Sequence, residues 1–151
     1  MIREYNSATD KHQVLELSER LMDFEFPKRI DTDFLACIQR ENFLADLERP
    51  EAESVVFVAE EGDVLLGFIE LHVEKDWISK QRHGHIARIA VAADAEGKGI
   101  AKRLMAKADQ WCQERDFPML SLSVFKSNER AIAFYQYLGY EIETVKMVKC
   151  M

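Results

Sequence analysis

The stretch from residue 85 to residue 112, HIARIAVAADAEGKGIAKRLMAKADQWC, constrains the fold of this chain more than any other. It opens on HIARIAVAA, which reads as a strand. It closes as a helix, because Ile100, Ala101, Leu104, Met105, Ala108, Trp111 and Cys112 fall on one stripe at helical spacing. Between the two stand Gly97, Lys98 and Gly99. Glycine inside a helix costs about 1 kcal/mol relative to alanine, so two glycines directly before a rigid element mark a need for bare backbone. A strand that turns through glycine into a helix also makes an anion site. The first N–H groups of the helix lack partners, the helix dipole places about half a positive charge there, and glycine removes the Cβ that would keep a phosphate away. Lys98, and Lys102 one turn on, add charge.

The remaining elements follow from periodicity and punctuation. MIREYNS reads as a short first strand. In TDKHQVLELSERLMDF, Val14, Leu17, Leu21 and Phe24 form a helical stripe, with Thr9 or Asp10 as N-cap, and Pro27 marks a break. TDFLACIQRENFLADL predicts a second helix with Phe34, Leu35, Ile38, Asn42 and Ala45 on one face. ESVVFVAEE and VLLGFIELHVE flank the turn EEGDV as an antiparallel hairpin, and the polar connection KDWISKQRHG leads to the strand HIARIAVAA. After the quoted helix, PMLSLSVF alternates Leu120, Leu122 and Val124 against serines as a strand. NERAIAFYQYLG reads as a helix ended by Gly139 as a left-handed cap, and YEIETVKMVKCM as a closing strand. Strand, two helices, three strands, helix, strand, helix, strand predicts one α/β domain over residues 1–151 around a mixed sheet.

At 151 residues and a formal charge of −7, the chain is long enough for one sizeable core, and its charge argues against a nucleic-acid partner. The same charge suits a cationic substrate such as an amine. Cys37, Cys112 and Cys150 are sparse and unpaired in pattern, which suggests a reducing compartment. MIREYNS lacks the apolar run of a signal peptide and no stretch reaches 18 apolar residues, so the expected location is cytoplasmic, with no membrane partner.

Two familiar phosphate motifs are absent. A dinucleotide fingerprint would need glycine at Lys102, and the P-loop needs four residues between its glycines and a closing GK with Ser or Thr. A second cluster, SNERAIAFYQYLGY, places Asn128, Ala131, Phe134, Tyr135, Gly139 and Tyr140 beyond the glycines, after another strand. RIAVAADAEGKGIA and NERAIAFYQYLGY together resemble the GNAT superfamily of acyl-CoA-dependent N-acetyltransferases. That family carries a strand ending in an apolar residue, then Arg or Gln followed by xxGxG or xxGxA opening a helix, then NxxAxxFYxxxGF. The likeness is strongest from Ile86 to Tyr140. Glu96 stands where the family prefers Arg or Gln, and Ala93 replaces a frequent proline. A carboxylate beside a pyrophosphate is repulsive, so Glu96 must point away or weaken cofactor binding.

The resemblance implies a single-domain, mostly antiparallel mixed sheet flanked by about four helices, and acetyl-CoA as co-substrate with no metal. Its implied cofactor contacts are Ile89, Ala90, Val91, Glu96, Gly97, Lys98, Gly99, Ile100, Ala101, Lys102, Asn128 and Tyr135. Acetyl transfer to the amine is then direct, without a covalent enzyme intermediate. Holding an amine of lysine-like pKa neutral at pH 7 costs roughly 4.6 kcal/mol, so a base is useful. Glu70 in FIELHV is the candidate, with His72 on the same face as second candidate and a solvated strand-face glutamate as the alternative. His83 and His85 fall in or near the connecting loop. The Val91 amide would meet the oxyanion, and the alanines at 87, 90, 92 and 93 leave room for a pantetheine arm. Tyr135 is the implied proton donor to the leaving thiolate, although Ala131, Phe134, Tyr135 and Leu138 also form a plain core stripe. Asn128 serves as helix N-cap, pantetheine contact or both.

The expected acceptor is a small amine such as a polyamine or aminoglycoside, lined by Phe24, Phe26 and Trp77 from DFEFPKRIDTDF and KDWISKQRHG, and the expected assembly a homodimer. A protein N-terminus or lysine is an alternative acceptor. A non-catalytic acyl-CoA sensor, and an unrelated α/β module whose glycines only turn the chain, are alternatives of another class.

Overall fold

The computed structural model describes all 151 residues. Five strands, β1 (Ile2–Glu4), β2 (Val55–Glu61), β3 (Val64–Lys75), β4 (Arg82–Val91) and β5 (Leu120–Leu122), form one sheet in that order. The first four pair antiparallel and β4 pairs parallel with β5. The helices are α1 (Lys11–Leu17), α2 (Thr32–Glu48), α3 (Ile100–Gln113) and α4 (Glu129–Tyr137). The parallel β4–β5 pair requires a crossover, and α3 supplies it.

Side chains alternate across a strand, so the sheet buries two faces. On one, Ile69, Leu71 and Ile86 meet the predicted α3 stripe of Ile100, Leu104, Met105, Ala108, Trp111 and Cys112, all buried. On the other, Val58, Leu65 and Phe68 meet Val14, Leu15 and Leu17 of α1 and Phe43 of α2. Gly84 is fixed by close approach: a Cβ there would lie 2.5 Å from Cys112 Sγ. No helix is long and apolar enough to cross a membrane.

Six expectations are corrected. The first helix tightens into a 3₁₀ turn over Ser18–Met22, which leaves Phe24 beyond it. Asp10 does stand at the N-cap of α1, but its carboxylate takes Arg3 and the Asn6 amide instead of capping the helix. The α2 face is rotated from the predicted one. Phe34, Asn42 and Ala45 are exposed, and Phe43 is buried, stacked at 5.0 Å on Phe68 with the Arg88 guanidinium 4.9 Å from its ring. Burial of Phe43 is the larger effect that sets this face inward, and the Asp46–Arg88 pair lies on the same side. The connection between β3 and β4 is only residues 76–81, so His83 and His85 lie on β4. β5 stops at Leu122, leaving Val124 exposed, and the closing strand does not form: residues 141–151 are exposed and carry no strand pairing. Propensity alone makes no strand where no neighbour satisfies the backbone.

Candidate active site

The site begins with a difference between the two edges of β4. Toward β3, pairing runs its whole length, from Arg82 opposite Lys75 to Val91 opposite Gly67. Toward β5, only Gly84, His85 and Ile86 are paired. The Ala87–Val91 edge is left open, and a cavity of about 420 Å³ lies there between the end of β4, the start of α3 and α4. Every cofactor residue expected from the sequence lines it except Lys98, which faces a separate depression beside Met1 and Glu60.

Backbone geometry makes the cradle. Gly97 (φ 78°) and Gly99 (φ 76°) are left-handed, a conformation that costs an L-residue roughly 1–2 kcal/mol. A Cβ at either would meet nothing within 4 Å, so the space over these glycines is open. Gly99 is the N-cap of α3 and offers no side chain to the first turn. The first amide of that end to find a carbonyl is Arg103, bonded to Gly99 O at 3.1 Å, which leaves the preceding N–H groups for a ligand.

Opposite, Asn128 caps α4, its Oδ1 accepting from the Ala131 amide at 3.4 Å, and it also lines the cavity. Tyr135 reaches the same space, and burial pushes its phenol above the usual value, so it keeps its proton at neutral pH.

Two residues that sequence reasoning missed line this cavity: Arg20, from the 3₁₀ turn after α1, and Arg130, from α4. Both hold Glu96. Arg20 Nη2 pairs with Glu96 Oε1, and Arg130 Nη2 lies 3.3 Å from Glu96 Oε2. Glu96 therefore faces the cavity as a neutralised anion. Nothing in the local sequence around residue 20 signals this, because the partner is 76 positions away.

Glu70 lies elsewhere. It is buried on β3 beneath α2, hydrogen-bonded to Arg88 and to His72 Nε2 at 2.9 Å, and it does not line the cavity. Arg88 also donates to Asp46 at 2.6 Å. Asp46, Glu70 and His72 are close enough to share an ion, and Arg88 already provides the cation between the two carboxylates. The hydrogen bond that His72 donates to Glu70 raises the His72 pKa, and Glu51, 3.8 Å away, adds to the effect. His83 and His85 both meet the Ser121 hydroxyl, at 3.1 and 2.8 Å. Phe24 and Phe26 pack with tilted rings 4.1 Å apart and gather Phe125 beyond β5, whereas Trp77 stands exposed on the β3–β4 turn and joins no such cluster.

A strand with an open end, a glycine turn and a helix that begins in free amides together make a site suited to a phosphate-bearing ligand. The Acetyltransferase (GNAT) family model matches residues 13–140, and this chain belongs to that family. It is 28% identical over 99 residues to the uncharacterized N-acetyltransferase YhfO of Bacillus subtilis, covering 66% of each chain. The chain spans two thirds or less of the length of the curated relatives it matches. Among solved structures it resembles the aminoglycoside 6'-N-acetyltransferase AAC(6')-IG of Acinetobacter haemolyticus, with TM-score 0.73 at 14% identity, covering 100% of this chain and 99% of that one. It likewise resembles AAC(6')-Iy in complex with a CoA bisubstrate analogue, with TM-score 0.71 at 21% identity, covering 100% and 97%. These likenesses establish the fold.

Proposed function

We propose that this chain transfers an acetyl group from acetyl-CoA to the primary amine of a small molecule, of polyamine or aminoglycoside-like character. The observation that carries the reading is the row of unpartnered amides at Gly97–Lys102 beneath open space, set against the unpaired end of β4. Those amides would hold the pyrophosphate, and the open edge at Ile89, Ala90 and Val91 would run beside the pantetheine arm. Acetyl-CoA supplies an activated thioester. The Val91 amide donates to the acyl oxygen, and Tyr135, kept protonated by burial, donates to the departing sulfur. Glu70, which lies outside the cavity, acts as base through a relay: the neutral form of the more exposed His72 imidazole takes the amine proton, and Glu70 stabilises the imidazolium that forms. The Phe24–Phe26–Phe125 cluster forms an apolar wall on the acceptor side, and the charge of −7 favours a cationic acceptor.

Three free thiols fit a cytoplasmic location. A homodimer is part of the same proposal: residues 141–151 expose Ile142, Val145 and Met147, β5 is an edge strand, and a second copy offers that edge to the tail. Light scattering on the purified chain and on a 1–140 truncation tests it, with dimer and monomer as the expected results.

An acetyl-CoA-dependent assay of thiol release across polyamines, aminoglycosides, amino acids and peptides tests the activity. Turnover on a small amine is expected. Acetyl-CoA binding seen as a raised Tm, with no release on any amine, would make the chain a sensor; no thermal shift at millimolar ligand would remove the cofactor reading.

A further inference from the structure

Glu96 is the one acidic side chain that faces the cavity, and it sits in the turn that the cofactor reading assigns to phosphate. Two guanidinium groups from distant elements converge on it. Arg20 pairs with Oε1, and Arg130 spans both oxygens, at 3.5 Å to Oε1 and 3.3 Å to Oε2. Arg20 makes two further contacts: its Nε donates to Val91 O at 3.1 Å, and its Nη1 pairs with Asp23. A guanidinium carries five donors in a fixed fork, so one arginine can hold the end of β4, the turn at residue 96 and the segment leading to α2 together.

The carboxylate therefore occupies cations that a phosphate in the same cradle would use. Two anions cannot share them without strong repulsion, because like charges within a few ångströms in a partly dry site disfavour one another. Glu96 is free to leave, since its side chain is 36% exposed and Arg130 is 82% exposed. Arg20, at 28%, is held in place by its other two contacts.

We propose that Glu96 is a built-in competitor of the coenzyme A diphosphate, occupying Arg20 and Arg130 in the empty protein and ceding them when the cofactor binds. This inference rests on the cofactor reading above. Arg20 and Arg130 are then phosphate-positioning residues, and the acid at position 96 sets how tightly the cofactor is held. Because Arg20 stays bonded to Val91 O, the exchange leaves the end of β4 in place.

Calorimetric titration of coenzyme A into the wild-type chain and Glu96→Gln tests the proposal. The substitution keeps shape and removes charge. Binding to Glu96→Gln is expected to be about tenfold tighter, with the gain shrinking as salt rises. Arg130→Ala is expected to weaken binding more in the Glu96→Gln background than in the wild type, because only there is the arginine free to begin with. If Glu96 merely orders the turn, Glu96→Gln binds more weakly and the proposal is overturned; unchanged affinity, or additive effects of the two substitutions, overturns it as well. Coenzyme A binding to neither protein would remove the cofactor reading itself, a result distinct from equal binding to both.

Discussion

Two polar sites of this domain are built in opposite ways. The turn at Gly97–Lys102 is made of backbone: consecutive residues, two left-handed glycines and the free end of one helix. The Glu70 cluster beneath α2 is made of side chains, with Glu70 and His72 from β3, Arg88 from β4 and Asp46 from α2. The first is local in sequence and open. The second is assembled across the fold and closed, its charges satisfied by one another. Changes to the first should cost binding with little stability, and changes to the second should cost stability together with any catalytic effect.

The largest expected effect tests the first half of that contrast. Gly99→Val places a branched side chain where the ligand would lie, so coenzyme A affinity should fall at least about 100-fold while circular dichroism stays that of a folded chain. Gly62 supplies the control, since it has a similar φ of 61° and equally open space but lies in the β2–β3 turn. Gly62→Ala and Gly99→Ala should each cost stability, on the order of 1 kcal/mol, yet only Gly99→Ala should weaken cofactor binding. Equal affinity loss in both would mean that strain, and not the cradle, was being measured. Next in size, Tyr135→Phe should lower turnover about 100-fold, the lower end for a general acid, with cofactor affinity within about threefold. A parallel loss of binding and turnover would return Tyr135 to the core stripe it shares with Phe134 and Leu138.

Legibility in the sequence follows the same division. The stripe of α3 is readable because one helix faces one sheet, and all six of its buried residues fall on the stripe that the spacing predicts. The glycine turn is readable because its cause is conformational and local. The α2 face is not, because the partners that fix it, Phe68 for the buried Phe43 and Arg88 for Asp46, are distant in sequence. Arg20 and Arg130 were missed for that reason: each is an ordinary helical arginine until the fold brings Glu96 to it. The closing strand failed in the reverse direction. Val145 and Val148 have strand propensity, but the backbone of that segment has no partner within the chain.

Glu70→Gln probes the closed site at smaller scale. Arg88 keeps Asp46, so the loss is that of one charged hydrogen-bonding partner, roughly 1–3 kcal/mol, seen as a lower urea midpoint. If Glu70 also serves as the base, the pH–rate profile shifts; a lower midpoint with an unchanged profile would leave Glu70 structural and reassign the base.

The smallest effect separates His72 from its neighbours by pH. Its folded pKa is raised, first by the hydrogen bond to Glu70 and then by the charges of Glu70, Glu51 and Asp46. The folded chain thus binds this proton more tightly than the unfolded chain. The stabilisation is complete below about pH 6.5 and fades as pH rises through the folded value. His85, paired across the sheet from His72, has the opposite shift, since burial lowers its pKa and folding loses stability there as pH falls. A Tm profile of the wild type alone mixes the two. The difference between wild type and His72→Gln removes most of the His85 contribution. From about pH 5.5 to about pH 8.5 the wild type should lose more Tm than the variant, by about a few degrees. Parallel curves would mean that Glu70 leans on Arg88 alone, and the closed site would then lack the proton-sharing pair that its proposed part in catalysis requires.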